Sequence, residues 1–340
     1  MKRLLSVGSL PTGPYNDITD VPGVLVGHST LIHDDIRTGV SAILPHSGNL
    51  FTHKVVASSY VANGFGKSIG LMQINECSTI ETPILLTNTL SVGLVADGLV
   101  RTMVEANPGI GRTQATVNPI VCECNDGRLN DIQRMVCGEK EVREAILSAT
   151  SPALQGSVGA GAGMICHGLK GGIGSSSREF LMDGKTYTLG VLVNSNFGHS
   201  KGKDLIIKGK TMESFISPIM SKGEEDKGSI IVVVATNVGL DAKSIERILK
   251  RVPIGIGRTG SYMGHGSGDV FLGFSTANIV TEDTPFRTIT ILNENYMNIL
   301  FQSVVEAVEE AIYQSMIHSP AVKGYRTSVH SLTEWMNDLS

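Results

Sequence analysis

The run Gly228-Ser229-Ile230-Ile231-Val232-Val233-Val234-Ala235-Thr236 restricts this chain more than any other segment. From Ile230 to Ala235 it is apolar without interruption and mostly β-branched, so it reads as a strand buried on both faces. Such a strand needs packed layers above and below its sheet, which excludes an exposed edge or a one-sided sheet. The stretch before it is opposite in character. SKGEEDKG, ending at Gly228, is polar, charged and bounded by glycine, and closes the segment 201–228 as an exposed loop. A loop that meets a buried strand abruptly is a place where the chain can be cut without unravelling the fold.

The remaining pattern fits a layered α/β protein. Short apolar runs at Val24–Val26, Ile84–Leu86 and Thr188–Val193 read as further strands. Ser244–Lys250 reads as a helix with Asp241 as its cap and Pro253 as its stop, and Ile132–Ala149 as another. The clearest helix is Asn298–Met316. Leu300, Val304, Val308 and Ile312 recur at helical spacing, and Glu306, Glu309 and Glu310 are expected on the opposite face. With 340 residues, 41% of them hydrophobic, the chain is long enough for a large core, and no internal repeat divides it.

Composition narrows the partners. There are 28 basic and 32 acidic residues with no basic stripe, which argues against nucleic acid. The N-terminal apolar stretch is about three residues long, whereas a secretory signal needs roughly 7–15. No run approaches the roughly 20 apolar residues of a membrane span. The expectation is therefore a cytoplasmic protein. The five cysteines, Cys77, Cys122, Cys124, Cys137 and Cys166, are odd in number and irregularly spaced, unlike a disulfide framework.

Several constellations bear chemistry, each with a plainer alternative. Ser229 could be a nucleophile whose base is its own α-amine, if the chain were cut before it; that amine titrates at about 7.7–8.0. Gly228 would leave its carbonyl open to the Ser229 hydroxyl. The alternative is a serine that merely starts a strand. In the loop GSYMGHGSGD, Ser267 and Asp269 point to one side of an extended segment and could relay a proton or orient an amine. His265 in the same loop is a general-base candidate or a surface residue. Glu123, at the end of the Ile120–Cys122 run, could pair with a substrate ammonium or cap the Asn125-Asp126-Gly127 turn. Asn194 and Asn196 could donate to an oxyanion or satisfy a turn. The glycine-rich stretch Gly156–Ser177 lacks the spacing of a phosphate-binding loop. Cys122-Glu123-Cys124 has no second Cys/His pair at suitable spacing, so no metal is expected.

Taken together and in order, these segments resemble the family of L-aminopeptidase/D-amidase-esterases and β-peptidyl aminopeptidases. The resemblance is carried by NDITDVPGVLVGHST, LLTNTLSVGLVADGL, GSVGAGAGMICHGLKGGIGSSSR, GVLVNSNFG, DKGSIIVVVAT and RTGSYMGHGSGDVFLGFSTAN, from about Asn16 to about Glu310. It implies a single domain with a four-layer αββα sandwich of the N-terminal-nucleophile-like DOM fold. It implies a precursor that cuts itself into chains 1–228 and 229–340, which stay associated and assemble into a homotetramer. Carried over by position, Ser229 resembles the nucleophile, Gly228 the residue left behind, and Ser267 and Asp269 the pair assisting the amine. Asn196 resembles the oxyanion donor and Glu123 the ammonium anchor, with Asn125 beside it in the substrate site. Some members carry Glu in place of Asp269 and Tyr in place of Asn125, which bears on specificity. The substrate implied is a small peptide or aminoacyl amide, with no cofactor. Two other functions compete: a self-cleaving acyltransferase of related architecture, whose nucleophile is typically Thr, and a non-catalytic small-molecule-binding protein.

Overall fold

The fold is taken from a computed structural model, which describes residues 7–199, 202–212, 228–281 and 285–334. Most of the polar run expected as an exposed loop, residues 221–227, lies outside the described residues. Two sheets form the centre. The smaller contains β1 (Leu25–His33), β2 (Ile36–Leu44), β5 (Ile84–Asn88) and β6 (Ile120–Cys124), in the order β1-β2-β5-β6. The larger contains β3 (Lys54–Gly64), β4 (Thr79–Ile80), β7 (Gly172–Met182), β8 (Lys185–Asn196), β9 (Ser229–Thr236) and β10 (Gly268–Val280), in the order β4-β3-β10-β9-β8-β7.

Ser229–Thr236 forms β9, and every one of its residues is buried. It has partners on both sides: β8 pairs antiparallel, and β10 pairs parallel. Its side chains alternate between two cores. Ile231, Val233 and Ala235 join the layer between the sheets, with Ile84, Leu86, Ile120 and Cys122 of the smaller sheet. Ile230, Val232 and Val234 face the helices α4 (Ala242–Leu249), α5 (Val252–Arg258) and α6 (Asn298–Ile317). On the far side of the smaller sheet, Val40, Ala42, Leu85 and Val121 pack against α2 (Val92–Ala106) and α3 (Glu139–Leu147). The result is an αββα sandwich with three apolar layers.

Several expectations change at the level of elements. Asp241 does cap α4, accepting the Ser244 N–H at 2.8 Å. That helix ends at Leu249, ahead of Pro253 as expected, and Pro253 itself sits in the first turn of α5, where proline's missing N–H costs nothing. The helix expected over Ile132–Ala149 is confined to α3, because Met135 is left-handed and Gly138 is extended. Glu306 and Glu310 of α6 are not on a solvent face. Both are buried against Arg178 of β7, itself fully buried, at 3.1 and 2.7 Å. Among the described residues no helix is long and apolar enough to cross a membrane.

Candidate active site

Ser229 is the first residue of β9, and its register partners are Asn196 at the end of β8 and Gly268 at the start of β10. By alternation its side chain lies on the same side as Ile231 and Val233, towards the smaller sheet. The Gly268 N–H donates to Ser229 Oγ at 3.3 Å. Position 268 must be glycine for this approach, since a Cβ there would come within 2.6 Å of the Phe65 carbonyl oxygen. Gly228 is pressed against the chain leaving β8, and a Cβ at 228 would overlap the Asn196 carbonyl oxygen and Phe197 Cα.

The other singled-out residues gather at this end of the sandwich. Ser267 Oγ donates to Asp269 Oδ1 at 2.6 Å, and both residues are buried. Asn196 is held at both ends of its amide. Its Oδ1 accepts the Ile165 N–H at 3.0 Å, and its Nδ2 donates to the Asn125 carbonyl at 3.0 Å. An amide nitrogen carries two protons, so one donor remains for a bound group. His265, by contrast, is exposed.

Glu123 lies on β6 and is 3% exposed. Its carboxylate accepts the Lys67 N–H at 2.9 Å and the Thr89 hydroxyl. The loop after β3 bridges it to the start of β10, beside the nucleophile: a Cβ built at Gly66 would lie 3.6 Å from Glu123 Oε1 and 3.9 Å from Gly268 Cα, and Gly268 is the register partner of Ser229. Glu123 does not cap the following turn. That task falls to Asn125, whose Oδ1 accepts the Gly127 N–H at 2.9 Å. Sequence reasoning missed Thr89 and Lys67. Thr89 had a signal, in its place among the strand-end residues Thr87-Asn88-Thr89, whereas Lys67 contributes a main-chain N–H, which has no side-chain signature.

The surroundings of the site are buried and polar in places. Burial pushes the Cys122 thiol up to about 12 and raises Cys124 well above the ordinary thiol range. Both are therefore thiols and poor metal ligands. Among the described residues no group of three or more His, Cys, Asp and Glu could hold a metal ion. The glycine-rich stretch encloses a lysine. Lys170 is fully buried, and its Nζ donates to the Gly161 and Gly171 carbonyls at 3.0 and 2.6 Å. Burial brings Lys170 down to about 7, countered by the charge of Asp126, and raises Asp126 to about 7.

Comparisons with known proteins identify the family and the fold. Residues 16–330 match Peptidase family S58. The chain is 35% identical over 337 residues to a β-peptidyl aminopeptidase of Sphingosinicella microcystinivorans, covering 92% of this chain and 84% of that protein. It superposes on a protein of Pyrococcus horikoshii OT3 with a TM-score of 0.93 at 41% identity, covering 98% and 96% of the two chains. It also superposes on the L-aminopeptidase D-Ala-esterase/amidase of Ochrobactrum anthropi, described as a serine aminopeptidase with a variant of the Ntn hydrolase fold. There the TM-score is 0.91 at 33% identity, covering 99% and 96%. The αββα layers thus match those of known aminopeptidases over nearly the whole chain: the chain belongs to Peptidase family S58 and is a hydrolase of the aminopeptidase type with the Ntn hydrolase fold.

Proposed function

We propose that this aminopeptidase matures by cutting its own Gly228–Ser229 bond and then uses Ser229 as the nucleophile. The observation that carries the reading is the position of Ser229. It begins a fully buried strand, it follows a glycine that a side chain would displace, and its Oγ meets the Gly268 N–H. In maturation the Ser229 hydroxyl adds to the Gly228 carbonyl, the peptide C–N bond breaks to leave an ester, and water hydrolyses that ester. The products are a carboxylate at Gly228 and an α-amine at Ser229.

In turnover the same hydroxyl attacks the amide carbonyl of a substrate's N-terminal residue, and the Ser229 amine takes its proton. Ser267 and Asp269 assist that amine. Asn196 Nδ2 donates to the oxyanion, supported by a backbone N–H. The leaving amine departs, and water releases the acyl group from the ester. Glu123, with Asn125 nearby, receives the substrate's ammonium, so the substrates are small peptides, aminoacyl amides and esters with an unblocked amine. The names of the relatives extend this class to β-peptides and to D-Ala esters and amides. No cofactor enters the scheme. The reading includes a homotetramer of processed chain pairs working in the cytoplasm, where buried thiols such as Cys122, Cys124 and Cys137 stay reduced.

The test is a denaturing gel with N-terminal sequencing. Wild type is expected as chains 1–228 and 229–340, the second beginning at Ser229, while Ser229→Ala remains one inactive chain. Fully active enzyme consisting of one uncut chain would overturn the proposal.

A further inference from the structure

Beyond the residues named so far, the geometry points to the hairpin Ile165–Lys170, with His167 tied to Asp204, as the element that presets the Gly228–Ser229 bond for scission. This inference rests on the reading of Ser229 as a self-processing nucleophile. The hairpin pairs Ile165 with Lys170 and Cys166 with Leu169 around a two-residue turn, His167-Gly168. Both turn residues are left-handed, with φ of 47° and 74°. That turn readily takes Asn, Asp or Gly.

Two consecutive contacts make the hairpin a clamp on the chain leaving β8. The Ile165 N–H fixes Asn196 Oδ1 at 3.0 Å, which orients the amide proposed as oxyanion donor. The His167 N–H donates to the Phe197 carbonyl at 2.7 Å. The backbone of these same two residues, Asn196 and Phe197, forms the wall against which Gly228 is pressed. One short hairpin therefore sets both the donor awaiting the oxyanion and the surface behind the scissile glycine.

The His167 side chain links this clamp to the segment that leads to the cut. The ring is fully buried and packs edge-on against Phe197, with centroids 5.1 Å apart and planes at 72°. Its Nδ1 lies 3.1 Å from Asp204 Oδ1. Among the described residues its Nε2 has no hydrogen-bond partner. Asp204 is anchored in turn. Its Oδ2 accepts the His199 N–H at 2.9 Å, and two residues on, the Ile206 N–H donates to the Thr259 carbonyl at 2.9 Å. His167 thus ties the stretch before the cut to the wall that Gly228 contacts. It is a positioning residue: it touches neither the nucleophile nor the scissile bond.

The experiment follows maturation by cell-free synthesis of the full chain, with cleavage timed on a denaturing gel and melting measured on each product. His167→Gly keeps the left-handed turn and removes the ring. His167→Asn also suits that backbone and places an amide N–H near where Nδ1 sits. Cleavage of His167→Gly is expected to slow at least tenfold and that of His167→Asn to stay within about threefold of wild type, with melting nearly the same for both. The matured His167→Gly enzyme is expected to lose kcat with little change in KM. If His167→Gly fails to fold, Asp204→Ala decides, and is expected to cut at least tenfold slower. Wild-type cleavage rates in His167→Gly or in Asp204→Ala, or a failure of His167→Asn to restore the rate, would overturn the inference and leave Ser229 in its role. A wild-type chain that is not cut at this bond would instead remove the reading beneath it.

Discussion

A methyl group at position 228 has no room, because the Asn196 carbonyl oxygen and Phe197 Cα already occupy it. Gly228→Ala must push the scissile carbonyl away from Ser229, and a displacement of about 1 Å costs on the order of 10²-fold in a positioned reaction. Maturation slowed by roughly that factor on a timed gel is the expected outcome. Glu123 presents the complementary case. Its carboxylate is buried and held by Lys67 N–H and the Thr89 hydroxyl, so it is preset to meet a substrate ammonium. Glu123→Gln is expected to lower kcat/KM by no more than about 3–5 kcal/mol, the cost of losing one partner of a buried pair, and to narrow the preference for unblocked over N-acetylated substrates. Self-cleavage should survive, since the precursor offers no ammonium there. A mutant that melts lower but keeps the full preference would give Glu123 a purely structural role. If the base is the Ser229 amine, kcat/KM should rise with pH as that amine deprotonates, near about 7.7–8.0 for an unperturbed group.

Among the elements, β7 and α6 are joined by the buried Arg178 with Glu306 and Glu310. Arg178 also donates to the Val7 carbonyl at 2.8 Å, so the N-terminal segment hangs on the same guanidinium. Removing it strands two buried carboxylates. Arg178→Met is therefore expected to cost about 3–5 kcal/mol in denaturant unfolding, while replacing all three charges together should cost much less. Strand β1 carries a pH-dependent element. Burial lowers His28 to about 4, against the Leu154 carbonyl hydrogen bond that raises it. The folded value lies below the ordinary 6.5, so the unfolded chain binds the extra proton between about 4 and 6.5. Stability is then fully present above that window and is lost as pH falls through it. After discounting for partial exposure, the loss is about 1–3 kcal/mol. Melting curves of His28→Gln should lack most of this dependence, and an unchanged acid slope would assign it elsewhere.

At the scale of the molecule, the proposed cut would divide a sheet without dividing the fold. Chain 229–340 contains β9 and β10, which lie between β8 and β3 of the first chain, and α6, which covers the outer face. Separating the chains would expose the interiors of two apolar layers. The processed chains are thus expected to co-elute in native size-exclusion chromatography and to part only in denaturant. Two chains that separate without denaturant would contradict this interlocked arrangement.

How much could be read beforehand depends on how local the signal is. The run Ile230–Ala235 specified a doubly buried strand because β-branched apolar residues without alternation fit little else, and Ser229 and Gly228 were legible as its boundary. The Ser267 and Asp269 pairing followed from two-residue spacing within one extended segment, which requires no knowledge of the fold. The periodicity of α6 was equally plain, yet the fate of Glu306 and Glu310 was not, because their partner Arg178 comes from a strand more than a hundred residues away. The same limit hid Thr89 and the Lys67 N–H around Glu123, and the His167–Asp204 pair beside Phe197. Periodicity reports which face of an element is apolar. Which buried polar group meets which is set when the sheets stack, since only then does each desolvated donor or charge have to find a partner within reach.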